Sequence, residues 1–344
     1  IIIEMELNMR NVFLLIISLS LISFNASALE KPEPMNEQEF DQLFEEISNW
    51  GRWGPDDELG TLNTITDKKR KQAARLVKEG KTVSLELELN KTPNMINALP
   101  FEHEVFLFGA EEASELGLDL ADLPEIAGDV FSINYHGFSH SHMDGLPHFA
   151  YKGKMYNGFP FEPNVPKGFT KLGVENIAEV GVFTRGVLVD LPKFLGIDFI
   201  QPGNSITIEV LEAWEKASRI RVSSGDVLLI RTGRWKKVNQ EGHWNFQENA
   251  AGLHATVAKW LKERDVAAIG CDGVSDVMPS GTTRLNPLHE LAIVSLGMPI
   301  FDNLDLEKLA EVSNETKRNT FLFVAAPLNV EGATGSPLNP MAIF

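Results

Sequence analysis

Apolar positions along this chain change their period repeatedly, and each change marks an expected element. Phe40, Leu43, Phe44 and Ile47 recur at helical spacing, which predicts a helix over Gln38–Ile47. Thr66 can cap a second helix that runs from Asp67 to Glu79 and stops at Gly80. From Thr82 to Leu89 the pattern turns to alternation, as in a strand with one buried face. Asp129–Tyr135 reads as another strand, leading straight into a run of histidines. Val187–Leu191 and Asp226–Thr232 are apolar runs bounded by turn residues, as in strands buried on both faces, with a helix at Val210–Ala217 between them. A longer amphipathic helix is expected over Ala250–Arg264, then a strand at Ala267–Cys271, a helix at Leu304–Val312 and a strand at Thr320–Ala326. Helices and strands interleave throughout, so the expected class is mixed α/β or α+β, in one domain.

The start of the chain follows a different rule. Met9-Arg10-Asn11 precedes Val12–Phe24, an apolar run broken only by serines, and Asn25-Ala26-Ser27-Ala28 ends it with an A-x-A pattern. A basic start, a short apolar centre and small residues describe a secretory signal, with cleavage expected after Ala28. The run is too short for an anchor, since spanning hydrocarbon takes about 20 residues. Residues 1–28 are therefore expected to be a signal peptide, with 1–8 as an upstream extension. Residues 29–47 form a flexible lead-in and helix, and 48–344 the working domain. A periplasmic or secreted destination follows, without stable membrane insertion after cleavage.

Charge narrows the partners. The net charge of −17 changes by one unit when Glu4, Glu6 and Arg10 leave with the signal. So acidic a surface repels phosphates, which argues against nucleic acid and anionic lipid. Cys271 is the only cysteine, which excludes an intrachain disulfide, and its apolar setting reads as a buried structural thiol.

Candidate chemistry concentrates in one place. Of eight histidines, four fall within His136-Gly-Phe-Ser-His140-Ser-His142-Met-Asp144-Gly-Leu-Pro-His148. Imidazoles beside a carboxylate suit a divalent cation, zinc or manganese foremost. On a persisting strand His140, His142 and Asp144 would share one face. Neighbouring pairs there lie about 6.6 Å apart, but the outer pair about 13 Å, too far for one ion. A bend is therefore required, and Asp144-Gly145 with Pro147 offers turn chemistry. A histidine-rich surface loop is the plainer alternative.

The segment His142-x-Asp144-x-x-x-His148-Phe149 resembles the centre of the signature of the metal-dependent cyclase superfamily, which includes bacterial kynurenine formamidases and isatin hydrolases. Trp50–Asn63, Lys152–Gly158, Asp226–Gly233, Gly270–Asp276, His289 and Asp302–Leu306 also fit that family, so the resemblance covers nearly the whole chain after the signal. It implies a swivelling β/β/α, cyclase-like fold, a bound divalent metal and a homo-oligomer. By position, His142 and Asp144 match metal ligands, and His148 matches an acid/base histidine. His289 and Asp302 match a downstream pair that helps hold a second ion, where glutamate is more usual than Asp302. The family's first ligand falls on Phe138, so His140 or His136 must replace it. His140 is favoured, because it shares a strand face with His142.

The activity implied is hydrolysis of a carbon–nitrogen bond in a small-molecule amide, an aryl formamide or cyclic amide, with His148 moving the proton. Two other readings compete. His142, Asp144 and His289 also resemble the two-histidine, one-carboxylate set of iron(II) oxygenases. The chain could equally be an exported metal or ligand carrier without turnover. Arg231 reads as the partner of an acidic residue, and Trp50 and Trp53 as packing for an N-terminal arm. A helix cap would explain Asp302, and a core or capping role His289.

Overall fold

The computed structural model describes residues 29–118 and 124–344, so the expected signal peptide lies outside the described residues. Its centre is a nine-stranded sheet. In chain order the strands are β1 (Thr82–Ser84), β2 (Glu102–Phe108), β3 (Ile126–Ser132), β4 (His142–Asp144), β5 (Val182–Asp190) and β6 (Ser205–Ile206). They continue with β7 (Val227–Arg231), β8 (Gly252–Leu253), β9 (Ala268–Cys271), β10 (Ile300–Asp302), β11 (Thr320–Ala325), β12 (Gly335–Pro337) and β13 (Met341–Ile343). The large sheet runs β1-β13-β11-β5-β7-β9-β10-β4-β12, while β2 pairs with β3 and β6 with β8.

Within the sheet, β5, β7, β9 and β10 are parallel neighbours joined through helices, and antiparallel strands flank them on both sides. The apolar runs explain this centre. Val187, Val189, Leu228, Ile230, Ile269 and Ile300 face one core layer. Leu188, Val227, Leu229, Ala268 and Phe301 face the other. Strands covered on both sides need no polar alternation. Helices Ile208–Ser218 and Val257–Arg264 cover the first layer with Trp214 and Trp260. Helix Glu37–Ile47 joins the same layer through Phe40, Leu43, Phe44 and Ile47, and a capping box at Asn36 starts it. Burying each such side chain contributes about 1.5–3 kcal/mol.

Several expected boundaries move. The helix capped by Thr66 ends at Ala74 rather than Glu79, and the strand from Thr82 ends at Ser84. The helix expected from Ala250 begins at Val257, because Gly252 and Leu253 pair with Ser205 and Ile206 instead. The late helix starts at Glu307, so Asp302 lies on β10 and caps nothing. The strand expected over Asp129–Tyr135 is β3, which ends at Ser132 and belongs to a separate hairpin. Residues 29–36 are tied down rather than flexible. Glu30 accepts from the Ser205 amide at 2.8 Å, and Met35 donates to Gly281 at 3.0 Å. Among the described residues, no helix is long and apolar enough to cross a membrane.

Candidate metal centre

β4 is three residues long and sits between β10 and β12, antiparallel to both. Register places Asp302 opposite His142, and Ile300 and Gly335 opposite Asp144. Alternation then divides the strand: Met143 enters the second core layer, while His142 and Asp144 turn to the other face with Asp302. His289 arrives from the helical segment Pro287–Leu296 that precedes β10.

Asp144 is the hub. Its Oδ1 lies 2.9 Å from His136 Nδ1, 3.4 Å from His142 Nε2 and 3.7 Å from His148 Nε2. The other oxygen, Oδ2, lies 3.4 Å from His289 Nε2, which is also 3.2 Å from Asp302 Oδ2. Two donor sets compact enough for a cation result, His136/His142/Asp144 and Asp144/His289/Asp302. A carboxylate shared in this way can serve one ion or bridge two.

Neighbouring groups fix which nitrogen faces the hub. His142 Nδ1 donates to the His140 carbonyl at 2.8 Å, which leaves the Nε2 lone pair towards Asp144. His289 Nδ1 donates to Asp276, which also accepts from the Leu288 amide at 2.6 Å, and this turns Nε2 towards Asp144 and Asp302. Such outer partners are the usual way a metal-binding histidine is oriented. Asp302 is held by Ser275 Oγ at 3.1 Å. His136 Nδ1 and Asp144 Oδ1 are buried without hydrogen-bond partners. Leaving both unpaired is costly unless a further group satisfies them, and a divalent cation fits that donor set.

Charge follows geometry. Burial opposes the charged form of Asp144, but the His148 and His142 charges and the close approach of the His136 and His142 rings hold it well below the usual carboxylate range. Burial likewise opposes protonation of His289, yet the Asp302 charge and hydrogen bonds to three carboxylates push it well above the usual histidine value. His148 goes the other way: burial, with lesser repulsion from the neighbouring histidines, outweighs Asp144 and lowers it to about 4.

The structure brings together His142, Asp144, His289 and Asp302 as expected, with His148 alongside. It does not bring His140. The chain bends through residues 136–140 and the strand starts only at His142, so alternation does not extend back to His140. The His140 ring is buried elsewhere, 3.3 Å from the Asn134 carbonyl. His136 takes the place expected of it. Gly137, at φ 151°, allows the bend. Gly335 clears room, since a Cβ there would lie 2.3 Å from Met143 O and 3.1 Å from the His136 ring. The ring then stacks on His148 at 3.8 Å with planes 6° apart. Asp276 was missed as well, although it ends the segment Gly270–Asp276. Arg231 is spent on Asp190 and Glu307, each at 2.7 Å. The Trp50 indole donates to Val294 O at 2.7 Å and packs edge-on against Phe44 of the N-terminal helix, while Trp53 lies under Arg52.

A cavity of about 140 Å³ opens on the cluster, with Phe138, Phe149, Val274, Met278 and Leu285 on its apolar side. A mixed α/β protein with a buried histidine–carboxylate centre at the edge of its parallel strands is the class so defined. Residues 68–276 match the family described as Putative cyclase, and the chain belongs to that family. The crystal structure of a novel cyclase is 30% identical, covering 88% of this chain and 99% of that one, with a TM-score of 0.74. Isatin hydrolase A from Ralstonia solanacearum is 21% identical over 76% of this chain and 91% of its own, with a TM-score of 0.52. An isatin hydrolase bound to the product analogue thioisatinate is 17% identical over 81% and 97%, with a TM-score of 0.52. At those identities the two hydrolases show a shared fold. No curated protein matches the chain.

Proposed function

We propose that the protein is an exported, metal-dependent hydrolase that cleaves the carbon–nitrogen bond of a compact amide, an aryl formamide or cyclic amide. The observation that carries this reading is the pair of buried, unpartnered atoms His136 Nδ1 and Asp144 Oδ1, 2.9 Å apart beside His148. His136, His142, Asp144, His289 and Asp302 would hold the ion, zinc or manganese by the chemistry of mixed nitrogen and oxygen donors. When bound, such an ion would lower the pKa of water to about 7 and polarise a carbonyl oxygen.

The remaining work falls to the chain. With its pKa lowered to about 4, the His148 ring is neutral at pH 7 and has a lone pair to offer. It can take the proton from water as the new C–O bond forms and return it to the amine nitrogen as the C–N bond breaks. Stacking on His136 holds its plane. The apolar wall of Phe138, Phe149 and Met278 suits a flat ring and excludes water around it. The names of the isatin hydrolases of like fold support a cyclic amide. The three-donor oxygenase set is a poorer match, because His136 and Asp302 add donors it does not use. Export rests on the pattern Met9–Ala28 alone.

Metal-stripped protein should leave isatin, N-formyl-kynurenine and a simple lactam intact, and zinc or manganese should restore cleavage of at least one. A carrier would bind the metal and leave all three untouched.

A further inference from the structure

Two segments that fit the family, Asp226–Gly233 and Asp302–Leu306, give the centre only Asp302. Two side chains at these segments, Asn303 and Arg234, are buried and unused by the proposed chemistry. Asn303 follows Asp302 at the end of β10, and Arg234 opens the helix Arg234–Glu241. Neither lines the cavity over the cluster. Their hydrogen bonds go instead to the bend that carries His136. Asn303 Nδ2 donates to the Gly137 carbonyl at 2.8 Å and to the His140 carbonyl at 3.1 Å. Asn303 Oδ1 accepts from Arg234 Nη1 at 2.6 Å, and Arg234 Nη2 donates to the Phe138 carbonyl at 2.5 Å. We infer that Asn303, backed by Arg234, is a positioning residue that clamps this bend and thereby sets where the His136 and His142 rings stand.

The bend does not hold itself. Among the described residues, no backbone–backbone hydrogen bond involves residues 136–140. Gly137, at φ 151°, adds freedom rather than a fixed shape. Both rings depend on what the clamp holds. His136 is the residue before Gly137, so the carbonyls of Gly137 and Phe138 lie at its root. The His140 carbonyl also accepts from His142 Nδ1 at 2.8 Å, the contact that turns Nε2 towards Asp144. One carboxamide, next in sequence to Asp302, thus bears on both imidazoles of the first donor set.

The clamp is itself braced. Asn303 has φ 56°, a left-handed conformation that asparagine tolerates, and its amide donates to Gly273 at 2.7 Å. Ser141 Oγ donates to its carbonyl at 2.6 Å. The Arg234 guanidinium packs on the Phe246 ring at 3.7 Å and on Trp235 at 4.2 Å. Among the described residues it makes no ion pair, so its charge is met by carbonyl oxygens, Asn303 and ring faces. A buried cation is costly, and a neutral side chain would fill the same space at lower cost. The hydrogen bonds on the bend supply the reason for a cation here.

This role rests on the proposed metal centre, and the test separates the two. Asn303→Gly keeps the left-handed backbone and removes the carboxamide. Arg234→Lys keeps the charge but loses the planar fork. Arg231→Met breaks the buried pair with Asp190 and serves as a variant destabilised outside the cluster. Zinc affinity is read by chelator competition, the cobalt-loaded protein by its visible absorption, and stability by denaturant melts. Asn303→Gly should lose about tenfold or more in zinc affinity and shift the cobalt bands, and Arg234→Lys should move both in the same direction. Arg231→Met should bind zinc within about twofold of the unmutated protein, with its cobalt bands unmoved, despite its loss of stability. Asn303→Gly that binds zinc as the unmutated protein does overturns the role, and where that variant does not fold, Arg234→Lys decides in the same way. An equal loss in Arg231→Met also overturns it, since the effect is then general loosening. Unmutated protein that binds no zinc removes the metal centre itself, an outcome distinct from any variant's failure. None of these readouts needs turnover.

Discussion

Replacing Asp276 by asparagine should weaken metal binding without touching any proposed ligand. The Asp276 carboxylate accepts from the Leu288 amide at 2.6 Å, the His289 amide at 3.3 Å and His289 Nδ1. An asparagine oxygen can keep the Leu288 contact, but its NH2 then takes the place of the oxygen that accepts from both the His289 amide and Nδ1–H, donor against donor. Moving the ring proton to Nε2 relieves the conflict and removes the lone pair that faces Asp144 and Asp302. Losing such an outer partner costs about 10–100-fold in affinity. That factor corresponds to about 1.4–2.8 kcal/mol. A competitive chelator titration with zinc near neutral pH reads it directly, with circular dichroism to check the fold. A folded variant that binds zinc within about twofold of the unmutated protein would refute the assignment of His289 as a ligand oriented by Asp276.

Other consequences can be measured separately. His148→Ala should lower turnover by about 10²–10⁴ while metal content by mass spectrometry stays the same, and loss of metal would make His148 a ligand instead. His289 has its pKa raised in the metal-free protein, so its proton stabilises the fold below the unfolded value near 6.5 and that stabilisation fades as pH climbs through the folded value. A cation must displace the same proton. Metal affinity should therefore rise with pH across that window, and calorimetry in buffers of different ionisation enthalpy should detect proton release; binding without release contradicts the charge state. Arg231→Met strands the buried Asp190 and should cost about 3–5 kcal/mol of stability in denaturant melts, far more than an exposed pair would.

Much of the fold was legible because the parallel core is written in unbroken apolar runs. Val187–Val189, Leu228–Ile230 and Ala268–Ile269 can be buried only as strands covered on both faces. The antiparallel rim was harder. β4, β10 and β12 have three residues each, too few for a period to show. The β2–β3 arm mixes Glu102, Glu104 and Asp129 with large apolar side chains, so neither of its faces reads as a core. At the site, His142 and Asp144 follow from local spacing, and His148 from its place in the matched motif. His289 and Asp302 enter only through resemblance, because long-range register brings them there. The choice between His136 and His140 turned on whether the strand persisted before His142. Bends through residues 136–140 put His136 rather than His140 beside Asp144, and nothing in the alternation marked where they begin.

Diffraction from crystals grown with zinc, collected on both sides of the metal's absorption edge, puts the account at greatest risk. The predicted result is an anomalous peak within about 2.0–2.2 Å of His136 Nδ1, His142 Nε2 and an Asp144 oxygen, with His140 away from it. A peak at His140, or none near Asp144, would contradict it.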